Sequence, residues 1–399
     1  MKKIVYLGYV VKPEEANRAS GASVAGNKMQ WNVVKNLSQY DDVEITCVTI
    51  SPLAAFPHDK KIYQRHQIEM LLEGVRSIKI SFCNLPVIKQ FWQVCSVYRT
   101  TKKMVQDLDA DILFTFNLFP QVGIPMRWIK KKFPRLKTVC LLADLPIDDN
   151  TNRKGFSTIL RKLFEKSTWK SMKNCDKYIV LNKHVIEKYL PKKQYIVIDG
   201  GIDEDDVKRY ENFIQKSNEY NVLFCGALTE YNGILNLLEA MDYLKDTDII
   251  LDIYGGGYLE ETVKAATKKN PKIHFHGRVS NQEVMQKQRE AWLLINPRIV
   301  DDPIALVTFP SKTFEYLLSS TPVLSTRLNG YGEEYQKHMY WLDDLSAYAM
   351  ANKIRDIRKL DKYEYEAMGK SAKEMIITLK SWKKQCEKIY HYLMEGEKR

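Results

Sequence analysis

Two successive series of short apolar runs, each alternating with helical patterns, constrain the fold of this chain more than any other feature. The first series comprises β-branched or aromatic runs at residues 4–7, 43–50, 78–82, 112–116, 138–142 and 178–181. Helical patterns lie between most of these runs, for example where Met29, Val33 and Leu37 recur at a spacing of four. Strands that alternate with helices favour an α/β fold with a parallel, doubly wound sheet.

The same alternation begins again in the second half of the chain. A polar run over residues 204–220 precedes new strands at 222–225, 249–254, 273–276, 292–295 and 323–326. We therefore predict two Rossmann-like domains, residues 1–198 and 199–377. Apolar residues at Trp382, Cys386, Ile389 and Leu393 indicate a C-terminal amphipathic helix, and we expect the segment 378–399 to join the first domain.

The cysteines and the hydropathy of the sequence indicate the cellular compartment in which the protein is expected. Seven cysteines are scattered through the 399 residues without a C-x-x-C pair, which is typical of reduced thiols in the cytoplasm. The apolar run after the N-terminal lysines is too short for a signal peptide and favours a first strand. No stretch approaches the roughly 20 apolar residues of a spanning helix. We expect a cytoplasmic protein that is soluble or bound to the inner face of the plasma membrane only at its surface.

The net charge of +12 is concentrated in one segment of the first domain. Residues 126–175 contain thirteen basic and four acidic residues, a local charge of +9. Phe156, Leu160, Leu163 and Phe164 recur at helical spacing there, and the opposite side collects Lys162, Lys166, Trp169, Lys170 and Lys173. This pattern predicts a helix with a basic face and an aromatic anchor on an anionic membrane. A solvated helix face is the plainer alternative, and no nucleic-acid-binding motif accompanies the charge, so we expect no nucleic-acid partner.

The loop and helix after residue 296 carry the candidate chemistry. Ser311 precedes an apolar helical run and is predicted as its N-cap, so that a helix N-terminus faces the loop. Such an end suits a phosphate group, and Lys312 and Arg298 would add full positive charges. Lys312 and Glu315 are three residues apart and share one helix face. An ordinary amphipathic helix with a surface Lys/Glu pair is the alternative.

The segment PSKTFEYLLSSTPVLST resembles the signature helix and strand of the large group 1, family 4-like retaining GT-B glycosyltransferases, many of which carry a Glu-x7-Glu motif. The resemblance implies a GT-B fold, two doubly wound domains facing a cleft, and a ribose-binding role for Glu315. The first Glu of the motif is replaced by Val307, and the diphosphate-binding Arg and Lys of the family fall at Ala227 and Asn232. The chain is thus identified as a divergent member, in which we expect Arg298 and Lys312 to substitute.

Further donor-binding residues follow from the same resemblance. LFCGALTEYNGILNLLEAM, LDIYGGGYLEE and IHFHGRVSNQEV look like successive units of the family's nucleotide domain. They assign Gly226, Gly255, Gly256, Arg278 and Val279 to the donor, with Ser311 and Thr313 from the signature helix. The glycines at 255–257 fit either a phosphate or a tight strand-to-helix turn.

The first domain is expected to bind the acceptor. The loop over residues 9–26 contains Gly21 and Ser23 but no G-x-G-x-x-G fingerprint, which counts against a dinucleotide-binding oxidoreductase. A flexible surface loop is the alternative there. Asn117 follows a strand and is a candidate acceptor contact. Asp144 stands near the position of a family histidine that faces the donor sugar, and could orient the acceptor hydroxyl or simply cap a turn.

No cofactor or metal is expected. His274 and His276 share one strand face, but the sequence places no carboxylate or cysteine cluster beside them, so we predict a structural role. The sequence therefore predicts a metal-independent transfer, with retention, of a sugar from a nucleoside diphosphate to a hydroxyl. The expected acceptor is lipid-linked or an oligosaccharide of capsular or exopolysaccharide synthesis. A catalytically inactive GT-B subunit of a polysaccharide assembly complex is the alternative.

Overall fold

A computed structural model describes residues 1–145, 156–211, 216–217, 219–301, 308–310 and 312–395. The chain divides into two units. Unit 1 comprises Met1–Asp199 and Trp382–Arg399, and unit 2 comprises Gly200–Ser381.

Unit 1 is built on a twisted sheet flanked by helices. Its strands are β1 (Lys2–Gly8), β2 (Val43–Thr49), β3 (Tyr63–Gln64), β4 (Gln67–Leu72), β5 (Val75–Lys79), β6 (Phe82–Cys83), β7 (Ile112–Phe116), β8 (Lys137–Leu142), β9 (Lys177–Val180) and β10 (Gln194–Val197). Its helices before the second unit are α1 (Pro13–Arg18), α2 (Val24–Leu37), α3 (Ile88–Leu108), α4 (Pro120–Lys132), α5 (Phe156–Asn174) and α6 (His184–Tyr189). The eight-stranded sheet has the order β10-β9-β8-β7-β1-β2-β5-β4 and is parallel except for the β4–β5 pair.

Unit 2 repeats the plan with six parallel strands. In chain order its elements are α7 (Glu204–Arg209), β11 (Tyr220–Cys225), α8 (Ile234–Tyr243), β12 (Ile249–Tyr254), α9 (Glu260–Lys269), β13 (Ile273–Gly277), α10 (Asn281–Glu290), β14 (Leu293–Asn296), α11 (Lys312–Leu318), β15 (Val323–Thr326), β16 (Tyr340–Leu342), α12 (Ala347–Arg358) and α13 (Lys362–Leu379). Short 3₁₀ turns lie at Glu230–Asn232 and Glu333–Tyr335. The strand order is β13-β12-β11-β14-β15-β16. The predicted α/β class with parallel, doubly wound sheets is confirmed.

The last helix, α14 (Trp382–Met394), completes the core of unit 1. Trp382, Cys386, Ile389 and Leu393 are all buried there among apolar residues of β1, β2, β7 and α2. These are the four positions whose spacing indicated an amphipathic helix. In unit 2, the matching apolar face of α8 packs on the sheet through Ile234, Leu237 and Met241.

Three details of the predicted strand pattern are wrong. The run at 78–82 is not one strand, because β5 ends at Lys79 and Phe82 begins β6, which pairs with β3 instead. The hairpin of β4 and β5 was not predicted; it turns at Gly74, whose φ of +74° favours glycine. The edge strand β16 was also missed. β4 is mostly exposed, so it lacks the continuous apolar run that marks a buried parallel strand.

In both sheets, the chain order reverses at one pair of neighbouring strands. In unit 1 the reversal lies between β1 and β7, and in unit 2 it lies between β11 and β14. Connections leave such a pair in opposite directions, which opens a crevice at the carboxyl ends of the strands. Each crevice is therefore a place for a ligand.

Candidate functional site

A close backbone approach shapes the crevice of unit 2. Gly233, with φ of +74°, lies after the Glu230–Asn232 turn, and a Cβ added to it would lie 1.8 Å from the carbonyl oxygen of Pro297. Only glycine permits this contact. It brings the turn after β11 against the loop after β14, where Arg298 follows.

Arg298 is held on that turn by several partners. Its Nε donates to Oδ1 of Asn232 at 3.2 Å, and the guanidinium lies 5.4 Å from the ring centre of Tyr231. Nδ2 of Asn232 in turn donates to the carbonyl oxygen of Ala227 at 2.8 Å. Arg298 also approaches the Thr308 hydroxyl at 3.5 Å. The guanidinium thus lies beside Asn232, the position at which the resemblance expects a lysine.

Helix α11 presents the second cation to the same strand ends. Nζ of Lys312 lies 2.8 Å from Oε2 of Glu315, and each side chain is about one-third exposed. Burial lowers the pKa of Lys312, but Glu315 and the nearby Cys225 thiol together outweigh burial, and the pKa is raised. The helix is anchored to the end of β11, because the Tyr316 hydroxyl accepts a hydrogen bond from the Cys225 backbone N–H at 2.9 Å.

Of the residues predicted at the start of this helix, one lies outside the described residues and one is buried. Ser311, the predicted N-cap, and Val307 lie outside the described residues. Thr313 is only 3% exposed, and its hydroxyl is 2.9 Å from that of Tyr331. Asn296 Nδ2 also donates to the Tyr331 hydroxyl, at 3.1 Å. The Thr313 side chain is therefore used inside unit 2 and is not available to a ligand in this structure.

The glycines after β11 and β12 allow backbone segments to pack closely. Gly255 has φ of +134°, and an added Cβ would lie 1.9 Å from the carbonyl oxygen of Gly226. A Cβ on Gly256 would lie 2.4 Å from Nε of Arg278. Of the two predicted alternatives, the tight turn is what these contacts describe. Arg278 itself is exposed and Val279 is half-buried, so both reach the surface at the end of β13.

In unit 1, the crevice residues are held by amide contacts. Oδ1 of Asn117 accepts from the backbone N–H groups of Ala143 and Asp144 at 2.8 and 3.0 Å, and its Nδ2 donates to Oδ2 of Asp144 at 3.0 Å. Asn117 is only 2% exposed, whereas Asp144 is exposed. The prediction that Asn117 contacts the acceptor is therefore corrected: it positions Asp144. Asn117 joins the ends of β7 and β8 in doing so.

The loop after β1 is more ordered than predicted. It contains the short helix α1, and Ser23 caps α2 by accepting from the Gly26 N–H at 3.1 Å. A Cβ on Gly21 would lie 2.7 Å from the backbone N of Ala54, so Gly21 is a packing position. Sequence reasoning missed Gln30, whose Oε1 accepts from the Tyr9 N–H at 2.8 Å and fixes the start of this loop.

The basic segment of residues 126–175 differs in part from its prediction. Leu163, expected to pack inward, is 56% exposed. Trp169, expected as a membrane anchor, is half-buried and its ring lies 5.2 Å from that of Tyr189. The expectation for Leu163 is therefore wrong, whereas Trp169 packs toward α6 and its role as a membrane anchor stays a prediction. The predictions made for Arg153 and Lys154, and for the side chains of Phe156, Leu160 and Arg161, lie outside the described residues.

The lysines of α5 behave as the basic face requires. Lys162, Lys166, Lys170 and Lys173 are all exposed. Trp128, on the basic helix α4, is also 46% exposed, with its ring 5.4 Å from that of Tyr98. None of the helices in the described part of the chain is long and apolar enough to cross a membrane.

The histidine pair in unit 2 has an unpredicted partner. Oδ1 of Asp252 lies 2.9 Å from Nε2 of His276 and 3.3 Å from Nδ1 of His274. The expectation that no carboxylate accompanies these histidines is wrong. Asp252 is on the neighbouring strand, about twenty residues earlier in the chain, so only the register of β12 and β13 reveals the contact.

Two doubly wound units in one chain, with the last helix joined to the first, define a protein of the GT-B fold. Sucrose-phosphate synthase from Thermosynechococcus elongatus superposes with a TM-score of 0.65 at 15% identity, covering 98% of both chains. A UDP-forming α,α-trehalose-phosphate synthase from Burkholderia xenovorans gives 0.68 at 10% identity, covering 98% of this chain and 99% of that chain. HepE from Anabaena, in complex with UDP-glucose, gives 0.61 at 13% identity with the same coverage. At these identities the likeness establishes the fold.

A family match lies in the sequence of unit 2. Residues 206–375 match the family described as glycosyl transferases group 1. No curated protein matches the chain in sequence. Together, the family match in unit 2 and the GT-B fold support a group 1 glycosyltransferase.

Proposed function

We propose that the chain transfers a sugar, with retention, from a nucleoside diphosphate bound in unit 2 to a hydroxyl acceptor bound in unit 1. Two observations carry the donor assignment: the contact between Arg298 and Asn232 after β14, and the Lys312–Glu315 pair, which interacts electrostatically with Cys225 at the end of β11. Two cations and one carboxylate thus lie toward the carboxyl ends of β11 and β14, where a parallel sheet receives its ligand. A diphosphate and a ribose need this combination of charges.

The chemistry follows from where negative charge develops. When the bond between the anomeric carbon and the diphosphate oxygen breaks, the departing diphosphate gains charge, which Arg298 and Lys312 would stabilise. The acceptor oxygen bonds to the same carbon and its proton passes to the departing phosphate. Because Arg298 and Lys312 would supply the positive charge that stabilises the departing diphosphate, the proposed transfer is metal-independent.

Glu315 and Asp144 have distinct roles in this proposal. Glu315 would accept hydrogen bonds from the ribose hydroxyls, exchanging part of its contact with Lys312 for the ligand. Asp144, exposed and held by Asn117, would orient the acceptor hydroxyl. Gly226, Gly255 and Arg278 would line the donor at the neighbouring strand ends.

The first donor to test is UDP-glucose, because HepE has been solved with UDP and with UDP-glucose. Purified chain is incubated with a panel of nucleoside-diphosphate sugars, and release of the nucleoside diphosphate is measured with and without glycan or lipid-linked acceptors. We expect slow release from one donor alone and faster release with its acceptor. Inverted configuration in the product would refute retention.

The alternative function is an inactive GT-B subunit of a polysaccharide assembly complex. Ala227 at the family's arginine position favours it, because no charge is available from that side chain. The same panel separates the two functions. Thermal stabilisation by a sugar nucleotide, without hydrolysis or transfer for any donor, would establish the binding subunit and refute the enzyme.

We further propose that unit 1 binds an anionic membrane at the inner face of the plasma membrane, where a lipid-linked acceptor of capsular or exopolysaccharide synthesis would be found. Four exposed lysines of α5 support this, since each contributes about 1 kcal/mol near anionic lipid. Exposed Trp128 supplies an aromatic side chain on the neighbouring helix α4.

Co-sedimentation with anionic and neutral vesicles across a salt series tests the membrane proposal. The variant changes Lys162, Lys166, Lys170 and Lys173 to Glu. The matched control places the same four changes in unit 2, at the exposed residues Lys268, Lys269, Lys359 and Lys362. We expect only the unit 1 variant to lose anionic binding. If both variants pellet equally with anionic vesicles, binding depends only on net charge, and the α5 surface is not the membrane site.

A further inference from the structure

We infer that unit 2 carries a site for a transition-metal dication of the zinc class, formed by Asp252, His274 and His276. Asp252 pairs with His274 across the β12–β13 ladder, and His276 is two residues further along the same strand. Side chains at such positions project from one face of a sheet. The strand pairing, with an irregularity at His276, therefore brings two imidazoles and a carboxylate together, outside the residues assigned to transfer.

The distances fit a shared ion. Oδ1 of Asp252 is 2.9 Å from Nε2 of His276 and 3.3 Å from Nδ1 of His274, and the three ligand atoms all lie within 4.8 Å of one another. A tetrahedral zinc ion with bonds of about 2.0–2.1 Å separates its ligand atoms by about 3.3 Å. Small side-chain rotations on two hydrogen-bonded strands would close the site around one ion.

Each ligand is also oriented by an outer contact, as metal ligands usually are. Nδ2 of Asn221 donates to Oδ2 of Asp252 at 3.0 Å, leaving Oδ1 toward the histidines. The His276 ring stacks on Tyr254 with centroids 4.4 Å apart. Nε2 of His274 lies 3.2 Å from the carbonyl oxygen of Pro271.

The contact with Pro271 matters most for the chemistry. A carbonyl oxygen only accepts, so Nε2 of His274 carries the proton in that hydrogen bond. Nδ1 of His274, which faces Oδ1 of Asp252 at 3.3 Å, is then the ring nitrogen available to a metal ion. A metal ion satisfies both histidines and the carboxylate at once.

The ligand set selects the class of ion. Imidazole nitrogens suit zinc, copper and nickel, whereas magnesium and calcium require mainly oxygen ligands. The side chains of His274 and His276 are 44% and 36% exposed, so water can complete the coordination. Lys287 interacts electrostatically with Asp252, but its ammonium is paired with Glu290 at 2.8 Å. A bound ion would tie the edge strand β13 to β12 immediately before the turn that contains Arg278.

The test is titration of untagged, metal-free protein with Zn²⁺ by calorimetry, and with Co²⁺ by visible absorption. Wild type is compared with His274→Ala, His276→Ala and Asp252→Asn. The matched control is His338→Ala, which removes a histidine of the same unit whose Nδ1 contacts Ser371 instead. Circular dichroism and thermal unfolding without metal verify that each variant folds.

We expect one high-affinity Zn²⁺ per wild-type chain and per His338→Ala chain. Loss of any one ligand should weaken binding by more than the roughly 10- to 100-fold that loss of an outer contact costs. Ligand-field bands of bound Co²⁺ should appear in wild type and disappear in His276→Ala. Absence of saturable binding, or equal affinity in wild type and the three ligand variants, would overturn the metal site and leave a hydrogen-bonded cluster of two histidines and an aspartate. None of these outcomes depends on the proposed transfer reaction.

Discussion

The two units place chemically opposite groups near the reversal points of their sheets. In unit 2, Arg298 follows β14 at the point of reversal, and Arg298 and Lys312 are each held by a side-chain acceptor. In unit 1, Asn117 follows β7 at the point of reversal, and its buried amide holds the exposed carboxylate of Asp144 at the end of the neighbouring strand β8. The backbone plan makes both crevices, and the side chains at the strand ends decide what each can bind.

In the proposed reaction, this difference in charge would assign the donor to unit 2 and the acceptor to unit 1. Cations in unit 2 suit a charged diphosphate, whose negative charge grows as the sugar leaves. A lone carboxylate in unit 1 repels such a ligand but accepts a hydrogen bond from a neutral hydroxyl. Variants that remove one group from one side should therefore affect one substrate and spare the other.

The largest effect is expected from the cations of unit 2. Arg298→Ala and Lys312→Ala should each lower kcat by about 10²–10³-fold, as loss of one preorganised electrostatic contact does. Binding of the nucleoside monophosphate should change little, because both charges are assigned to the diphosphate. Steady-state kinetics and calorimetry measure the two quantities.

Lys359→Ala is the control for these cations, since Lys359 is an exposed lysine of unit 2 paired with Asp356. It should retain wild-type kinetics. If monophosphate affinity falls as steeply as kcat in Arg298→Ala or Lys312→Ala, the assignment to the diphosphate is wrong.

Asp144→Asn should produce the next largest effect, confined to unit 1. Loss of a group that orients the reacting hydroxyl should slow transfer by about 10²-fold. Donor affinity and acceptor-independent donor hydrolysis should remain as in wild type. Asn can still exchange hydrogen bonds with Asn117, so the fold is preserved. Wild-type transfer by this variant would return Asp144 to a purely structural role at the end of β8.

Glu315→Gln tests whether unit 2 also recognises the neutral part of the donor. Loss of a hydrogen bond to a charged acceptor should cost about 1.5–3 kcal/mol of nucleotide affinity, roughly 10- to 150-fold in Kd. The monophosphate should be affected as strongly as the sugar nucleotide, because both contain the ribose. A 2′-deoxynucleotide should bind wild type and variant with similar affinity. Unchanged nucleotide affinity in calorimetry would contradict the ribose assignment.

Sequence reasoning predicted the buried parts of this fold best. Strands β12 and β15 coincide with their predicted ranges, because mostly buried runs rich in apolar and β-branched residues between polar turns leave few alternatives. The edge strands β4 and β16 were missed. β4 is mostly exposed, so its composition resembles that of a loop, and β16 has only three residues, too few to show a periodic pattern.

The candidate sites were predictable residue by residue but not as contacts. The Lys312–Glu315 pair could be predicted because helix geometry fixes neighbours three residues apart. The contact of Arg298 with Asn232 spans 66 residues and depends on the order of β11 and β14 in the sheet. The contact of Asp252 with two histidines depends on strand register. Neither order nor register is encoded in local periodicity.

The smallest expected effect compares two lysines, the buried Lys79 of unit 1 and the half-buried Lys216 of unit 2. In unit 1, burial lowers the pKa of Lys79, but Glu15 at 2.7 Å and Glu69 at 3.0 Å outweigh burial, and the pKa is raised. In unit 2, burial and the positive charge of Arg289 lower the pKa of Lys216 to about 7, and Glu366 opposes them only in part. One lysine is thus stabilised as a cation and the other as a neutral amine.

The sign of each pH dependence follows from these pKa values. Lys79 is charged in the folded and unfolded chain below its ordinary pKa, so its contribution is constant near neutrality and is lost only as the pH rises through its raised pKa. Lys216 in the folded chain releases its proton near pH 7, whereas the unfolded chain keeps it, so stability rises with pH above that value. Between pH 7 and 8 the gain in the free energy of unfolding is about 1 kcal/mol.

Urea unfolding of wild type, Lys216→Met and Lys79→Met at both pH values measures this gain. We expect the gain in the free energy of unfolding between pH 7 and 8 to be absent in Lys216→Met and to be the same as in wild type in Lys79→Met. Lys79→Met lowers stability at both pH values, because it leaves two carboxylates without their partner. The same gain in all three proteins would show that Lys216 does not titrate in this range. The predicted difference between Lys79 and Lys216 would then be wrong.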